Sequence, residues 1–414
     1  MTTPFERPKR KDPLVRTELP LTPPGGRSRA AHLLTRAAAR GQFALPRCRA
    51  CGTVHFPVRD ICPNCLSTEI AMAPAAAAGT LLSRTQAEVP ALPYFRERAP
   101  WHVGLVQLAD GPQVIAHLHP EVAVGAAVRM HLKLDKAGQA VLYAAPKTAE
   151  VDLMTDPKWR EMVAHPLHRR VLITDARHFA TPAIVKALKA AGARKIRLGV
   201  PEAWKPFREA PLYDGIEGVE ILPLDLTSDR SVFDYASDYG GTTEIVINTA
   251  DRVRAGQTLQ PGTLLPAQEM MEHIAFGPMR LAQALAPALI GRGADGPAAA
   301  AAWVNLLSIH ALAPLPGHMG WSAAHAAAHA FSQGLRAELL QGGVKLINLY
   351  SGPTEDPWFQ TMIPPKVNGA ALARGIVKAL TEGLEELDIG PVAQELRERL
   401  DANPKAVERE LGQS

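Results

Sequence analysis

The chain has 414 residues, 47% hydrophobic and 21% charged, with a formal net charge of +4. That length exceeds one ordinary core and predicts two or three domains, and a charge this small does not by itself argue for nucleic acid. No apolar run approaches the ~20 residues of a membrane span. All four cysteines fall between residues 48 and 65, which argues against a disulfide framework and leaves the cytoplasm as the expected compartment.

Residues 1–26 are basic and Pro-rich with no apolar stretch behind the charges, so they read as a disordered tail and not as a secretory signal. The run RSRAAHLLTRAAARG predicts a short helix that ends at Gly41, and the cysteines follow; together they make a unit over 27–75. Over 76–146 the short stretches TLLSRTQAEV, HVGLVQLA, QVIAHLH and AVRMHLKL are punctuated by Gly and Pro, the pattern of a small β-barrel. Residues 147–168 read as a linker with some helix. From Arg169 the rhythm changes: RRVLIT, KIRLGV, GVEILPLDL, EIVIN, AAWVNLLS and VKLINLY are short apolar strands separated by helical stretches. Strands alternating with helices predict a parallel, doubly wound α/β sheet over 169–395, followed by a tail over 396–414.

The cysteines form Cys48-x2-Cys51 and Cys62-x2-Cys65, ten residues apart. Two such knuckles bring four thiolates to tetrahedral spacing, which suits a structural Zn2+ and leaves no open position for catalysis. Iron in a rubredoxin-like site is the minor rival. The metal would fold a segment too small to fold alone. With this motif, the run ARGQFALPRCRACGTVHFPVRDICPNC and the barrel behind it resemble the acyl-CoA-associated zinc-ribbon/OB-fold family over residues 27–146. The resemblance implies an accessory role beside a thiolase-superfamily enzyme or an acyl-CoA hydratase, with acyl-CoA at the interface.

Residues 169–360 resemble the short-chain dehydrogenase/reductase family, most clearly through GWSAAHAAAHAFSQGLRAEL, VLITDARHFAT and IVINTAD. That resemblance implies a Rossmann-type fold, and it allows the family's site to be read position by position. The family's TGxxxGxG turn needs glycines so that backbone N–H groups can approach a pyrophosphate. Here Thr174 is followed by Asp175, Phe179 and Thr181 at the three glycine positions, which adds negative charge and bulk where the phosphates would lie. Asp225 matches the adenine-contacting acid, and Asn248 begins a half-retained NNAG motif that now reads Asn248-Thr249-Ala250-Asp251. Of the catalytic set, Ser308 stands at the Ser position, Trp321 replaces the Tyr, His325 replaces the Lys and Ile274 aligns with the Asn. An indole N–H is not a usable acid at neutral pH, so no hydride transfer and no NAD(P) are expected.

Two further features bear on function. His310, His318, His325 and His329 lie near this site, and His325 and His329 stand four apart, a metal-ligand spacing, although Ala-rich helices often carry solvent-facing histidines. The 269–290 and 320–340 stretches are Ala-rich and apolar on a helical period, which suits packing between copies in a homo-oligomer. The expectation is a non-catalytic scaffold subunit of an acyl-CoA-processing complex, with no nucleic acid and no membrane. The enzyme rival is a divergent NAD(P)-dependent oxidoreductase acting on a 3-hydroxyacyl-CoA. A second rival is a single-strand nucleic-acid-binding protein, for which Tyr94, Phe95, Arg96, Arg98 and Trp101 form the one aromatic-basic patch on the barrel. Arg84, Arg96 and Arg98 are the candidates to meet CoA phosphates.

Overall fold

A computed structural model of the chain describes residues 22–23, 31–148, 151–292, 301–360, 362 and 365–413. All but two residues of the expected N-terminal tail therefore lie outside the described residues. The helix His32–Ala39 ends at Gly41, whose φ of +68° suits glycine. It leads into an antiparallel ribbon of β1 (Ala44–Cys48) and β2 (Ile70–Pro74) that holds the cysteine loops between its strands.

Five strands then close a barrel in the order β3-β4-β5-β7-β6, with β3 at Ala78–Ala87, β4 at Trp101–Leu108, β5 at Gln113–Leu118, β6 at Ala127–Leu134 and β7 at Ala140–Pro146. Alternation sends Val114, Ala116 and Leu118 of β5 inward and leaves Ile115 outside. Leu34 and Ala38 of the first helix pack on the same core, so ribbon and barrel share one apolar interior. At Gly104 a Cβ would meet the Leu81 and Leu118 side chains at 2.6 Å, a close approach that needs glycine.

The α/β part is a seven-stranded parallel sheet in the order β10-β9-β8-β11-β12-β13-β14. Its strands are β8 (Arg170–Ile173), β9 (Lys195–Val200), β10 (Val219–Pro223), β11 (Ile245–Asn248), β12 (Ala302–Ser308), β13 (Lys345–Ser351) and β14 (Glu386–Ile389). Order reverses between β8 and β11, which opens a crevice at the C-terminal ends of these strands. Thr181–Ala190 and Gly369–Glu382 cover one face through Ile184, Leu188, Leu372 and Ile376. Asp229–Tyr239, Leu264–Gly291 and Met319–Leu339 cover the other through Val232, Leu281, Leu285 and Leu339.

Two expectations change. Leu264–Gly291, with a π-helical turn at Glu272–Phe276, is long and apolar enough to cross a membrane by length and composition, with a mean hydropathy of 1.2; Leu281, Leu285 and Leu289 on its inner stripe are buried against the sheet. Residues 396–411, expected as part of a tail, lie in two packed helices, Pro391–Ala402 and Pro404–Leu411. Asn403 caps the second with its side chain, and Leu396 and Val407 are buried beneath Leu400 and Leu411. A few apolar anchors at helical spacing suffice there, in a segment otherwise too polar to stand out.

The ribbon and barrel dock where β13 and β14 begin. The Lys133 ammonium donates to the Glu382 carbonyl at 2.6 Å, and that of Lys345 donates to the Leu134 carbonyl at 3.1 Å. The Glu385 N–H donates to the Ala39 carbonyl at 2.8 Å, and Arg36 and Arg40 pair with Asp401. Burial pulls the Lys133 ammonium down to about 8.

Candidate functional site

The four cysteine side chains converge. Their sulfurs all lie within 4.8 Å of one another, with Cys48 to Cys65 and Cys51 to Cys62 each at 3.6 Å. Tetrahedral Zn–S bonds of ~2.3 Å would set sulfurs about 3.8 Å apart, so the cluster has the dimensions of a closed Zn2+ site. Gly52 follows one knuckle at a φ of +74°, and the N–H groups of Gly52 and Leu66 donate to the Cys48 and Cys62 carbonyls, closing each knuckle. Hydrogen bonds from the Thr53 side chain and backbone hold the Cys51 thiol below its ordinary value, favouring the thiolate a metal takes. Among the described residues no other group of three His, Cys, Asp or Glu side chains meets this spacing.

At the switch-point crevice the turn after β8 satisfies itself. The Asp175 N–H donates to Thr249 Oγ1 at 3.1 Å, and the Ala176 N–H donates to the Gly199 carbonyl at 2.7 Å. The Arg177 N–H goes to Asp175 Oδ1, the Ala180 N–H to His178 Nδ1, and the Thr181 N–H to the His178 carbonyl. Five amides of this turn are thus engaged inside the protein. Phe179 packs against the core cluster, and the Thr181 hydroxyl donates to the Asp175 carbonyl at 2.7 Å. Asp225 is likewise occupied, since its Oδ1 accepts from the Thr227 N–H and hydroxyl. Asn248 is buried, and its amide donates to Asn305 Oδ1 at 3.2 Å.

The four catalytic positions come together around a residue that motif reading registered only as a lost glycine. Trp321 is 2% exposed, and its indole N–H donates to Asp251 Oδ1 at 2.9 Å. His325 is buried with Nε2 facing the same oxygen at 3.5 Å. Its Nδ1 accepts the Ser308 N–H at 3.3 Å, which places the ring proton on Nε2. Nδ1 is therefore committed, whereas Nε2 faces Asp251 without making a hydrogen bond. Burial raises the Asp251 carboxyl, but the His325 and Trp321 contacts outweigh that and hold it below the usual carboxylate range. The Ser308 hydroxyl accepts from the His310 N–H at 3.1 Å, so it caps the 3-10 turn Ile309–Ala311 and makes no bond to His325. Ser, His and Asp meet here without forming a nucleophilic triad. Ile274 is buried in the π-helical turn against this cluster.

The space left among Trp321, Ser308, His325, Thr249 and Phe359 is a cavity of about 30 Å³, room for about one water. An adjoining cleft of about 190 Å³ is polar, with Arg177, Arg252 and Arg254 opposite Asp175, Asp251 and Asp356. The His325/His329 spacing does not make a metal pair. His329 turns away to Tyr350, whose hydroxyl lies 2.8 Å from its Nδ1. His310 and His318 flank Trp321, and burial lowers the pKa of both.

On the barrel, the aromatic-basic patch is folded in on itself. Tyr94 and Trp101 are buried, Arg98 lies 4.1 Å over the Tyr94 ring and bonds Glu161 at 2.6 Å, and the Tyr94 hydroxyl donates to Glu161. The Arg96 guanidinium donates to the Pro90 and Ala91 carbonyls, and that of Arg84 to the Pro120 and Val122 carbonyls.

Comparison with known proteins follows these parts. The rubredoxin-like zinc ribbon domain of ChsH2 matches residues 35–71, the C-terminal OB-fold domain of ChsH2 matches 73–133, and the short chain dehydrogenase family matches 171–365. The short-chain dehydrogenase virD of Hypocrea virens is 26% identical over 196 residues, 46% of this chain and 60% of the relative. A DUF35 domain-containing scaffold protein of Methanocaldococcus jannaschii is 32% identical over 73 residues, 17% of this chain and 51% of the relative. The chain thus spans no more than 60% of the length of these curated relatives. A short-chain dehydrogenase from Burkholderia cenocepacia, solved in complex with NADP, is 28% identical with a TM-score of 0.54, covering 60% of this chain and 98% of that one.

Proposed function

Since the chain belongs to the ChsH2-type zinc-ribbon/OB-fold family in its N-terminal part and to the short-chain dehydrogenase family in its C-terminal part, we propose that it is a non-catalytic scaffold subunit of an acyl-CoA-processing complex. The observation that carries this reading is the filled cleft. Trp321 stands where a proton donor is needed, His325 Nδ1 is taken by the Ser308 N–H, and the space at the catalytic positions is only about 30 Å³, beside the polar cleft of about 190 Å³. Proton transfer needs a group of suitable pKa within reach of the carbonyl, and an indole is not one.

On this reading Cys48, Cys51, Cys62 and Cys65 hold one structural Zn2+, and none of them is left as a nucleophile. A partner of the thiolase superfamily, or an acyl-CoA hydratase, supplies the chemistry and docks on the ribbon and barrel. The scaffold description of the archaeal relative is in keeping with such a role. The dehydrogenase-like part joins copies of the chain through the outer faces of Leu264–Gly291 and Met319–Leu339. The turn after β8, with its amides engaged, holds no nicotinamide cofactor.

Two measurements test the proposal. Gentle affinity purification of the full chain from its native host, with native mass and peptide identification, should recover a thiolase-like or hydratase-like chain in stoichiometric amount. Fluorescence titration with NADH and NADPH should give no saturable binding. Recovery of the chain alone, together with tight binding of NADPH, would overturn the scaffold reading in favour of an oxidoreductase.

A further inference from the structure

A further pocket lies on the barrel, apart from the cysteine site and from the crevice at Trp321. It is bounded by β4 and β7 and by two short helices, Pro93–Arg96 and Pro157–Met162. Its volume is about 120 Å³, and an apolar cavity of ~150 Å³ admits a molecule the size of benzene. Tyr94, Phe95 and Trp101 form its apolar side, with Phe95 edge-on to Trp101 at 4.9 Å between ring centroids. Pro23, which is buried, closes one flank. The local sequence sets this up: in PKWREM, Trp159 packs onto Tyr143, and the neighbouring Lys158 is carried to the pocket.

Asp135, Lys136, Lys158 and Glu161 also line the pocket, and they are not equivalent. Glu161 pairs with Arg98 at 2.6 Å and accepts from the Tyr94 hydroxyl. Asp135 Oδ1 accepts the Ala137 and Gln139 N–H groups, each at 2.9 Å. Both acids therefore have their partners. The ammonium groups of Lys136 and Lys158 do not: among the described residues neither has a hydrogen-bond acceptor or an ion-pair partner. Lys158 is 8% exposed, and its Nζ stands 5.1 Å from the centre of the Trp101 ring, at the pocket wall. The ring offsets part of the cost of burying this cation, and Asp156 acts on it at longer range. Asp156 is itself engaged by the Tyr143 hydroxyl and the Lys158 N–H. A buried cation without an acceptor is costly, and burial pulls both lysines below their ordinary value.

The unmet groups are therefore donors, and they stand beside an aromatic wall. A ligand that answers both carries a negatively charged acceptor at one end and a flat or compact apolar body at the other. A long acyl chain or a nucleotide exceeds the volume. We propose that this pocket binds a small monocarboxylate about the size of benzoate, with its carboxylate on Lys158 and Lys136 and its apolar body against Phe95 and Trp101. A neutral alcohol of the same shape would forgo the charge-assisted bonds. Lys158 is then a binding residue, and its unpaired charge costs the free chain stability that the ligand restores.

The test uses the full zinc-loaded chain and para-fluorobenzoate, followed by fluorine NMR. Titration should give saturable binding, and para-fluorobenzyl alcohol, the neutral analogue, should bind at least about tenfold more weakly. K158M keeps most of the side chain and removes the charge. It should weaken para-fluorobenzoate by at least about tenfold and leave the Tm of the free protein unchanged or raised, because the cation has no partner to lose. K186M, at an exposed lysine on Thr181–Ala190, should change neither. F95A, at a half-buried ring, should weaken the acid and the alcohol alike. No saturable binding of para-fluorobenzoate to the parent chain, equal affinity for the alcohol, or full affinity in K158M would each overturn the proposal. So would a K158M protein that melts below the parent, since the ammonium would then already have an acceptor within the chain.

Discussion

If Trp321 is the plug of a disused site, truncating it should cost stability and restore nothing. The side chain is 2% exposed, edge-on to His325 at 4.8 Å and to Phe359 at 5.3 Å between ring centroids, and bonded to Asp251. Trp→Ala at a packed core position costs about 3–5 kcal/mol, the transfer term plus the cavity left behind. In a domain of this size each kcal/mol moves Tm by about 2–4 °C, so W321A should lower Tm by about 6–20 °C. W321F keeps most of the ring and loses only the N–H bond. Because the Asp251 side chain is 28% exposed, water can replace that donor, and W321F should cost about 1–2 kcal/mol. Calorimetry with near-UV circular dichroism reads both variants. A W321A protein within about 1 kcal/mol of the parent would refute the packing argument. The enlarged cavity should still bind no NADPH, since the phosphate turn stays closed by its own hydrogen bonds. A melt of W321A that NADPH raises would refute that second step.

Other consequences can be checked independently. The parent should carry one zinc per chain, and C62S, which alters a fully buried ligand, should be purified with well under one and lose protease resistance over the ribbon. His131 is packed against Trp159 and Tyr143, and burial, with Lys133 nearby, pulls it down to about 4 from an ordinary 6.5. The unfolded chain therefore binds the extra proton first, so stability is full above pH 6.5 and falls as the pH drops towards 4, by up to about 3 kcal/mol. H131F should flatten that part of a urea-midpoint profile, and a profile parallel to the parent's would sink the assignment. Gly383 and Gly343 both have a φ of +65°, so either Ala variant should cost about 1–2 kcal/mol. Only at Gly383 does a Cβ run into backbone, the Met162 carbonyl, whereas at Gly343 it meets the flexible Lys136 side chain at 3.0 Å. G383A should therefore also open the 147–168 segment to limited proteolysis, while G343A should not.

What the sequence made legible was what depends on local spacing. Cys-x2-Cys knuckles specify their own geometry, strands and helices of the sheet carry distinct periods, and a missing glycine or tyrosine can be read at one position. Contacts set by sheet register were not legible. Asp251 became a partner of Trp321 only once β11 placed the loop after Asn248 above the Met319–Leu339 helix, 70 positions away in the chain. The hydrogen bonds that run from Asn248 to Asn305 and from Asn305 to Asn348 need three strands in register. Arg84, Arg96 and Arg98 read as open cations, yet the fold turns them onto carbonyls and Glu161. The last helices were missed for a different reason: QELRERLDANPKAVEREL buries so few side chains that composition alone resembles a tail.

The relative placement of the two parts bears on what a filled cleft is good for. The ribbon and barrel are fixed to the residues that open β13 and β14, through Lys345, Glu385 and the Lys133–Glu382 bond. The crevice with Trp321 lies where those strands end, next to Ser351 and Gly352. Seven residues of β13 separate the two ends, about 20 Å at ~3.3 Å per residue. A substrate held at the barrel would therefore have no short path to the crevice, even if the crevice were open. Losing hydride transfer would take nothing from chemistry performed by a partner at the barrel. Rigid attachment is another matter. Lys133 and Lys345 are each 6% exposed and reach backbone carbonyls across the junction, an arrangement that tolerates the cost of burying cations and fixes one orientation. On the proposed reading the dehydrogenase-like part contributes position, and variants that loosen the junction should disturb the assembled complex more than any variant of the crevice.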